Sequence, residues 1–287
     1  MWCTKEKATK KYPGVEFGGD VWIGDRVLIE SGVRIGRGSV IGDGVEIESG
    51  VKIDFGVKIG AGTNIESGAR IGDGVKIGDG AVIGDGVVIG NKSEISGSVL
   101  ILGGAVIGDG AVIGPNAVIG RCAVIWEGTR IREGATIREG AVIGPSAVIG
   151  RDTVIGGGAW VGDGARIEKG ATIREGAVIE KDASIWGGVV IKQNAVIGRG
   201  VEIVEGATIG RGRKNVSHNL VINGLGETKN ITAFDCDDGL IICIGCMNNY
   251  RGLNLEETRK EIAKKYALDH GYFKALEFVE YWYKRIA

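Results

Sequence analysis

The sequence predicts an all-β solenoid, a rod of about 11 triangular coils with a small C-terminal α/β cap, and three counts carry that expectation. Stepping by six from Ile23 to Ile209 gives 32 positions, all Ile except Val161. Two residues before each stands Val, Ala, Ser or Thr without exception. Three residues before each, 22 of the 32 are Gly and five more are Asn or Asp, the residues for which a left-handed backbone is cheap. Phe17, preceded by Val15, extends the register to 33 hexads, and no insertion interrupts it.

Each part of the hexad has a physical reason. A separation of two puts the small residue and the Ile on one face of a short strand. The Gly, Asn or Asp marks a sharp corner. Six residues are too few for a helix pair but suit one strand and one corner, so three hexads close a triangle. At ~4.8 Å per coil the rod is about 50 Å long, with Ile stacked on Ile through its centre.

Composition sets limits on function. Thirty-five basic and 36 acidic residues leave a net charge of −1, which gives no footprint for nucleic acid and no polybasic membrane patch. No apolar run approaches the ~20 residues of a membrane helix, and the N-terminal "MWCTKEKATKKYPG" lacks the apolar core of a secretory signal. Five cysteines fit free thiols in a reducing compartment, so a cytoplasmic setting is expected, including the cytoplasm of a phage-infected host.

The repeats "IGDGAV", "IREGAT" and "IESGVR" resemble those of the hexapeptide-repeat family. The resemblance covers about two thirds of the chain and implies a left-handed parallel β-helix. It leaves the activity open, because that family includes acyltransferases, γ-class carbonic anhydrases, nucleotidyltransferase domains and non-enzymatic scaffolds.

The residue before each core Ile points outward, and these residues form three rows with an 18-residue step. One row is mixed and reads as solvated. Another switches from Arg34, Lys52 and Arg70 to Val88, Val106, Val124, Val142, Trp160, Val178 and Val196. The remaining row becomes largely apolar over the same span, with Val82, Leu100, Val118, Val154 and Val190. Coincident apolar rows on neighbouring faces predict an interface over residues 82–196. The family resemblance implies that the partner is the chain itself, in a homotrimer. The charged N-terminal coils are then expected to splay free or meet solvent.

The domain organisation expected is a lead-in over 1–16, the rod over 17–210 and an α/β capping domain over 211–287. In the last, "NLVING", "NITAFDC" and "GLIICIGC" read as strands, with a turn at 237–239. "NLEETRKEIAKKYAL" reads as a helix with Asn254 as N-cap and Glu257 completing a capping box. "FKALEFVEYWYKRI" reads as a second helix with Leu276, Val279, Trp282 and Ile286 inward. Such a cap covers the open sheet edge of the last coil. The stretch also resembles a terminal module of phage- and prophage-encoded hexapeptide-repeat proteins of unknown function, through Asp238, Gly239, Gly245, Cys246 and Gly252.

Chemistry is sparse. Resemblance to catalytic acyltransferases of this family implies a histidine base, and residues 17–210 contain no His. The γ-class anhydrases need three His ligands to zinc, and this chain has two His in all. His218 in "NVSHNL" is the one candidate base near the rod, weighed against a hydrogen-bonded linker His. Cys236, Cys243 and Cys246 read as buried thiols rather than a zinc or redox site, so neither metal nor cofactor is expected. Trp126 and Trp186 fall at or near corners and read as packing residues. Arg211, Arg213, Lys214 and His218, at and just past the rod's end, are the candidate contacts for a small anionic metabolite or nucleotide. The residues thus favour a non-catalytic scaffold or binding protein, and the two resemblances imply that it is homotrimeric and phage-encoded. Two alternatives stand beside it: an acyltransferase with His218 as base, and a purely structural self-assembling rod.

Overall fold

In the computed structural model each hexad folds into one short strand, of two residues everywhere but at Val21–Ile23, and one tight corner, from Glu16–Phe17 to Thr208–Ile209. The structure describes residues 2–203, 205–209, 215–225, 229–236, 239–244, 254–263, 276–277, 279–281 and 284. Strands three apart in sequence pair in parallel with an 18-residue step, as Asn64 with Val82 and Ile65 with Ile83. Three sheets result. Face I runs from Val21–Ile23 to Glu202–Ile203, face II from Leu28–Ile29 to Thr208–Ile209, and face III starts at Glu16–Phe17. The predicted triangular solenoid of about 11 turns is therefore present, with no break in register between Phe17 and Ile209.

The core is the stacked Ile column of each face with its small partners; Ile41, Ile65, Ala81 and Ile83 are fully buried. Buried hydroxyls that replace Val or Ala are satisfied. Ser93 Oγ donates to Gly108 O at 2.9 Å and Thr129 Oγ1 to Gly144 O at 2.9 Å, each reaching the next coil's corner. Corners use the left-handed backbone almost throughout. Arg26, Lys92, Ser98, Cys122 and Ser146 also adopt it, at φ +53 to +57°, where glycine stands in most repeats.

The N-terminal end is closed by its own small plug. Trp2–Cys3 pairs antiparallel with Val21 and Trp22, and the helix Lys5–Lys11 follows. Ala8 and Tyr12 are buried over the first coil, where the Tyr12 ring lies 6.4 Å from that of Phe17. Asp20 Oδ1 accepts the Lys5 N–H at 3.0 Å and thereby caps the helix from the first coil.

At the other end face III continues past the hexads. Asn215–Leu225 pairs in parallel with Val196–Ile197, one residue beyond the 18-residue step, and then antiparallel with Lys229–Cys236, which pairs with Gly239–Ile244. All three expected strands are present. The first begins four residues earlier than the sequence reading placed it, so His218 lies within a strand, in register with Asp235, rather than in a linker. The helix Leu255–Ala263 carries the predicted capping box: Asn254 Oδ1 accepts the Glu257 N–H at 2.9 Å, and Glu257 Oε2 accepts the Asn254 N–H at 3.1 Å. The described residues between 276 and 284 are helical, with Leu276 and Val279 fully buried as expected. Trp282, Ile286, Asp238, Gly245, Cys246 and Gly252 lie outside the described residues. Among the described residues no helix is long and apolar enough to cross a membrane.

Candidate functional site

The surface is built from the same hexad as the core. The residue after each Ile opens a corner and the next one forms its tip. The tip N–H has no place in the coil-to-coil ladder, and over the N-terminal half of the rod side chains take it at eight tips. Asp43, Asp79, Asp73, Asn91 and Asp109 each reach back to the tip N–H of the preceding coil, at 2.7–2.8 Å. Glu30, Glu48 and Glu66 work in the opposite direction, each accepting the tip N–H of the following coil at 2.9–3.1 Å. Carboxylates so placed serve the backbone. They are structural groups, and their number on the surface is not a sign of acid–base chemistry.

The apolar rows stand as the sequence predicted. On face III, Val88, Val106 and Trp160 are exposed, Trp160 by half, while Val124, Val142, Val178 and Val196 are half-buried by their row neighbours. On face II, Val82, Leu100, Val118, Val154 and Val190 are half-buried. The corner joining these faces extends the patch, through exposed Leu102 and exposed Cys122. Below it, Arg34 pairs with Glu16 at 2.8 Å, whereas Lys52 and Arg70 have no ion pair with a described residue.

Of the predicted ligand-binding residues, Arg211, Arg213 and Lys214 lie outside the described residues, and of His218 only the strand position is described. One feature passed over in the sequence reading is a groove of about 550 Å³ on face I and its corner with face II, lined by Arg166, Lys169, Ser184, Trp186, Glu202 and Glu205. Its signal is present in the sequence as two 18-residue columns, Arg166–Ser184–Glu202 and Lys169–Gly187–Glu205, in which a small residue separates opposite charges.

An unbroken six-residue period, three parallel faces and an aliphatic ladder define a hexapeptide-repeat β-helix. The model of the family described as "Bacterial transferase hexapeptide (six repeats)" matches residues 20–55, 56–91, 86–121, 140–175, 158–193 and 176–211, more than half of the chain. The chain belongs to this family, whose fold is the left-handed β-helix. No curated protein matches the sequence. Among solved structures, the UDP-N-acetylglucosamine acyltransferase of Arabidopsis is similar at 19% identity, over 86% of this chain and 75% of that one, with a TM-score of 0.42. The UDP-N-acetylglucosamine O-acyltransferase of Moraxella catarrhalis is similar at 17% identity, over 90% and 79%, with a TM-score of 0.39. That of Bacteroides fragilis is similar at 21% identity, over 89% and 91%, with a TM-score of 0.26.

Proposed function

We propose that the chain acts as a homotrimeric β-helical scaffold and binding protein, with its rods side by side and parallel. The observation that carries this reading is the coincidence of two apolar rows, on faces II and III, at the one corner they share. A contact between two different faces is heterologous, and by rotation about an axis along the rods it closes into a ring. In that arrangement like heights meet. The apolar coils of one copy then face those of the next. The Arg34–Lys52–Arg70 column faces Glu46 on face II and Glu30, Glu48 and Glu66 at the shared corner. Opposite charge at matched height supports closure of the N-terminal coils rather than their splaying. It disfavours an antiparallel dimer, which would set the cations against valine.

In this reading residues 1–16 and 211–287 are end caps that protect the sheet edges. A reducing, cytoplasmic setting, including that of a phage-infected host, fits free Cys3 and exposed Cys122. A small anionic ligand near Arg211, Arg213, Lys214 and His218 belongs to the same reading, and stabilisation by members of a nucleotide and metabolite panel in thermal unfolding tests it.

Native mass spectrometry and light scattering test the assembly. A trimer is expected. Val106→Asp with Val142→Asp is expected to give folded monomers, with the β-sheet circular dichroism retained. A wild-type monomer, or a trimer indifferent to both substitutions, overturns the interface. A second reading, acyl transfer with His218 as base, is favoured by the family's transferase description. Turnover of an acyl donor by the wild type, lost in His218→Ala, would support it, and no turnover would end it.

A further inference from the structure

The groove on face I brings two columns of separated opposite charge side by side, Arg166–Ser184–Glu202 and Lys169–Gly187–Glu205, with Trp186 beside them. Opposite charges one coil apart are close enough to pair: Lys76 Nζ lies 2.7 Å from Glu94 Oε1, and Arg151 Nη2 lies 2.6 Å from Glu133 Oε2. At the groove the opposite charges stand two coils apart, ~9.6 Å between strands. Arg166 and Lys169 come from one coil and Glu202 and Glu205 from the next but one. Ser184 and Gly187 hold the intervening positions and are too short to fill the gap, which leaves the notch. Arg166, Lys169 and Glu205 make no ion pair with a described residue. Trp186 stands half-exposed on the wall, and Glu168 precedes it in the corner column.

We propose that this notch binds a flat-bodied zwitterion, its carboxylate or phosphate against Arg166 and Lys169, its ammonium against Glu202 and Glu205, and its ring against Trp186. Each wall supplies what one end of such a ligand needs, and the two-coil gap requires the ends to be separated by a rigid body. The indole face suits a planar ring, and more so one bearing an ammonium. A singly charged ligand meets only one of the two walls, so the zwitterion is preferred over a simple cation or a simple anion. The notch lies on face I and its corner with face II, away from the corner shared by faces II and III, so it is open whether or not the chain assembles.

The test is calorimetric titration of the full-length protein with 4-(aminomethyl)benzoate, with benzylamine and benzoate as singly charged controls, on samples of measured mass. The expected result is saturable binding of the zwitterion at least about tenfold tighter than either control, which is ~1.4 kcal/mol. Binding should weaken as salt is raised, because the charged walls are open to solvent. Trp186→Ala should lower affinity several-fold. Ser184→Arg, an outward change that bridges the two walls itself, should abolish it while the circular dichroism stays unchanged. No saturable binding, benzylamine bound as tightly as the zwitterion, or binding that survives Ser184→Arg would each overturn the proposal. A monomeric sample that binds, or a trimer that does not, separates this site from the assembly reading.

Discussion

Asp109 Oδ1 accepts the backbone N–H of Asn91 at 2.7 Å, through the space that a Cβ on Gly90 would occupy. A methyl at Gly90 would stand 2.3 Å from that oxygen and 2.6 Å from the Asp109 nitrogen. Gly90 is therefore glycine for close approach and not for its φ. Gly86, at the preceding corner, is the reverse case: its φ is +62° and nothing lies within 4 Å of an added Cβ. Gly90→Ala must push apart two coils and break a corner hydrogen bond, a cost of about 2–4 kcal/mol. Gly86→Ala meets only the left-handed penalty, about 1 kcal/mol. Urea unfolding of the two variants is expected to rank them in that order.

The same corners show what was legible in the sequence. The strands, the core column and the outward rows could be read because one period fixes all three. The two kinds of corner glycine could not be separated along the chain, because the atom that excludes a side chain at Gly90 belongs to Asp109, in the next coil. The groove beside Trp186 was missed for a similar reason: no single hexad contains it, and Trp186 alone reads as corner packing. The N-terminal plug has no period to announce it, and its helix is capped by Asp20, outside the helix's own sequence. The capping box at Asn254 and Glu257 is local, and there the sequence reading and the structure agree.

Lys92 occupies a left-handed corner at φ +57° where most repeats have glycine. A side chain there carries a backbone cost of about 1–2 kcal/mol, part of which glycine returns through the greater freedom of the unfolded chain. Lys92→Gly is therefore expected to stabilise the rod by up to about 1 kcal/mol, read as a higher urea midpoint at unchanged slope. A lower midpoint would show that the side chain makes contacts that outweigh the backbone term.

The proposed parallel assembly makes a prediction about charge. Exposed ion pairs contribute only about 0.2–1 kcal/mol each, but a trimer repeats each of them three times. Lys52→Glu would set like charges against Glu46 and Glu48 of the next copy, and the dissociation midpoint by mass photometry should move to higher protein concentration. Adding Glu46→Lys should recover part of the loss, and raising the salt should narrow the difference between wild type and variant. If Lys52→Glu has no effect while Val106→Asp with Val142→Asp dissociates the trimer, the apolar interface stands and the charged seam does not.

The C-terminal helices carry a pH dependence of definite sign. Lys284, by its hydrogen bond to Glu280 and its charge, holds the Glu280 carboxyl below the ordinary carboxylate range, and Arg259 on the helix Leu255–Ala263 adds to the effect from 3.2 Å. Lys260 lowers Glu256 in the same direction, within that helix. A carboxyl whose folded value is depressed favours the folded state above its unfolded value, and that contribution is lost as pH falls through the folded value. Acidification from about pH 6 to about pH 3 should therefore loosen the contact between the helix Leu255–Ala263 and the helical residues around Glu280. Amide exchange in 255–263, corrected for the intrinsic effect of pH, should speed up while exchange in the rod's strands stays slow. Glu280→Gln should speed exchange at neutral pH and leave a smaller acid effect, the part owed to Glu256. Equal acid sensitivity in wild type and variant would show that the Arg259–Glu280 contact does not hold the two helices together.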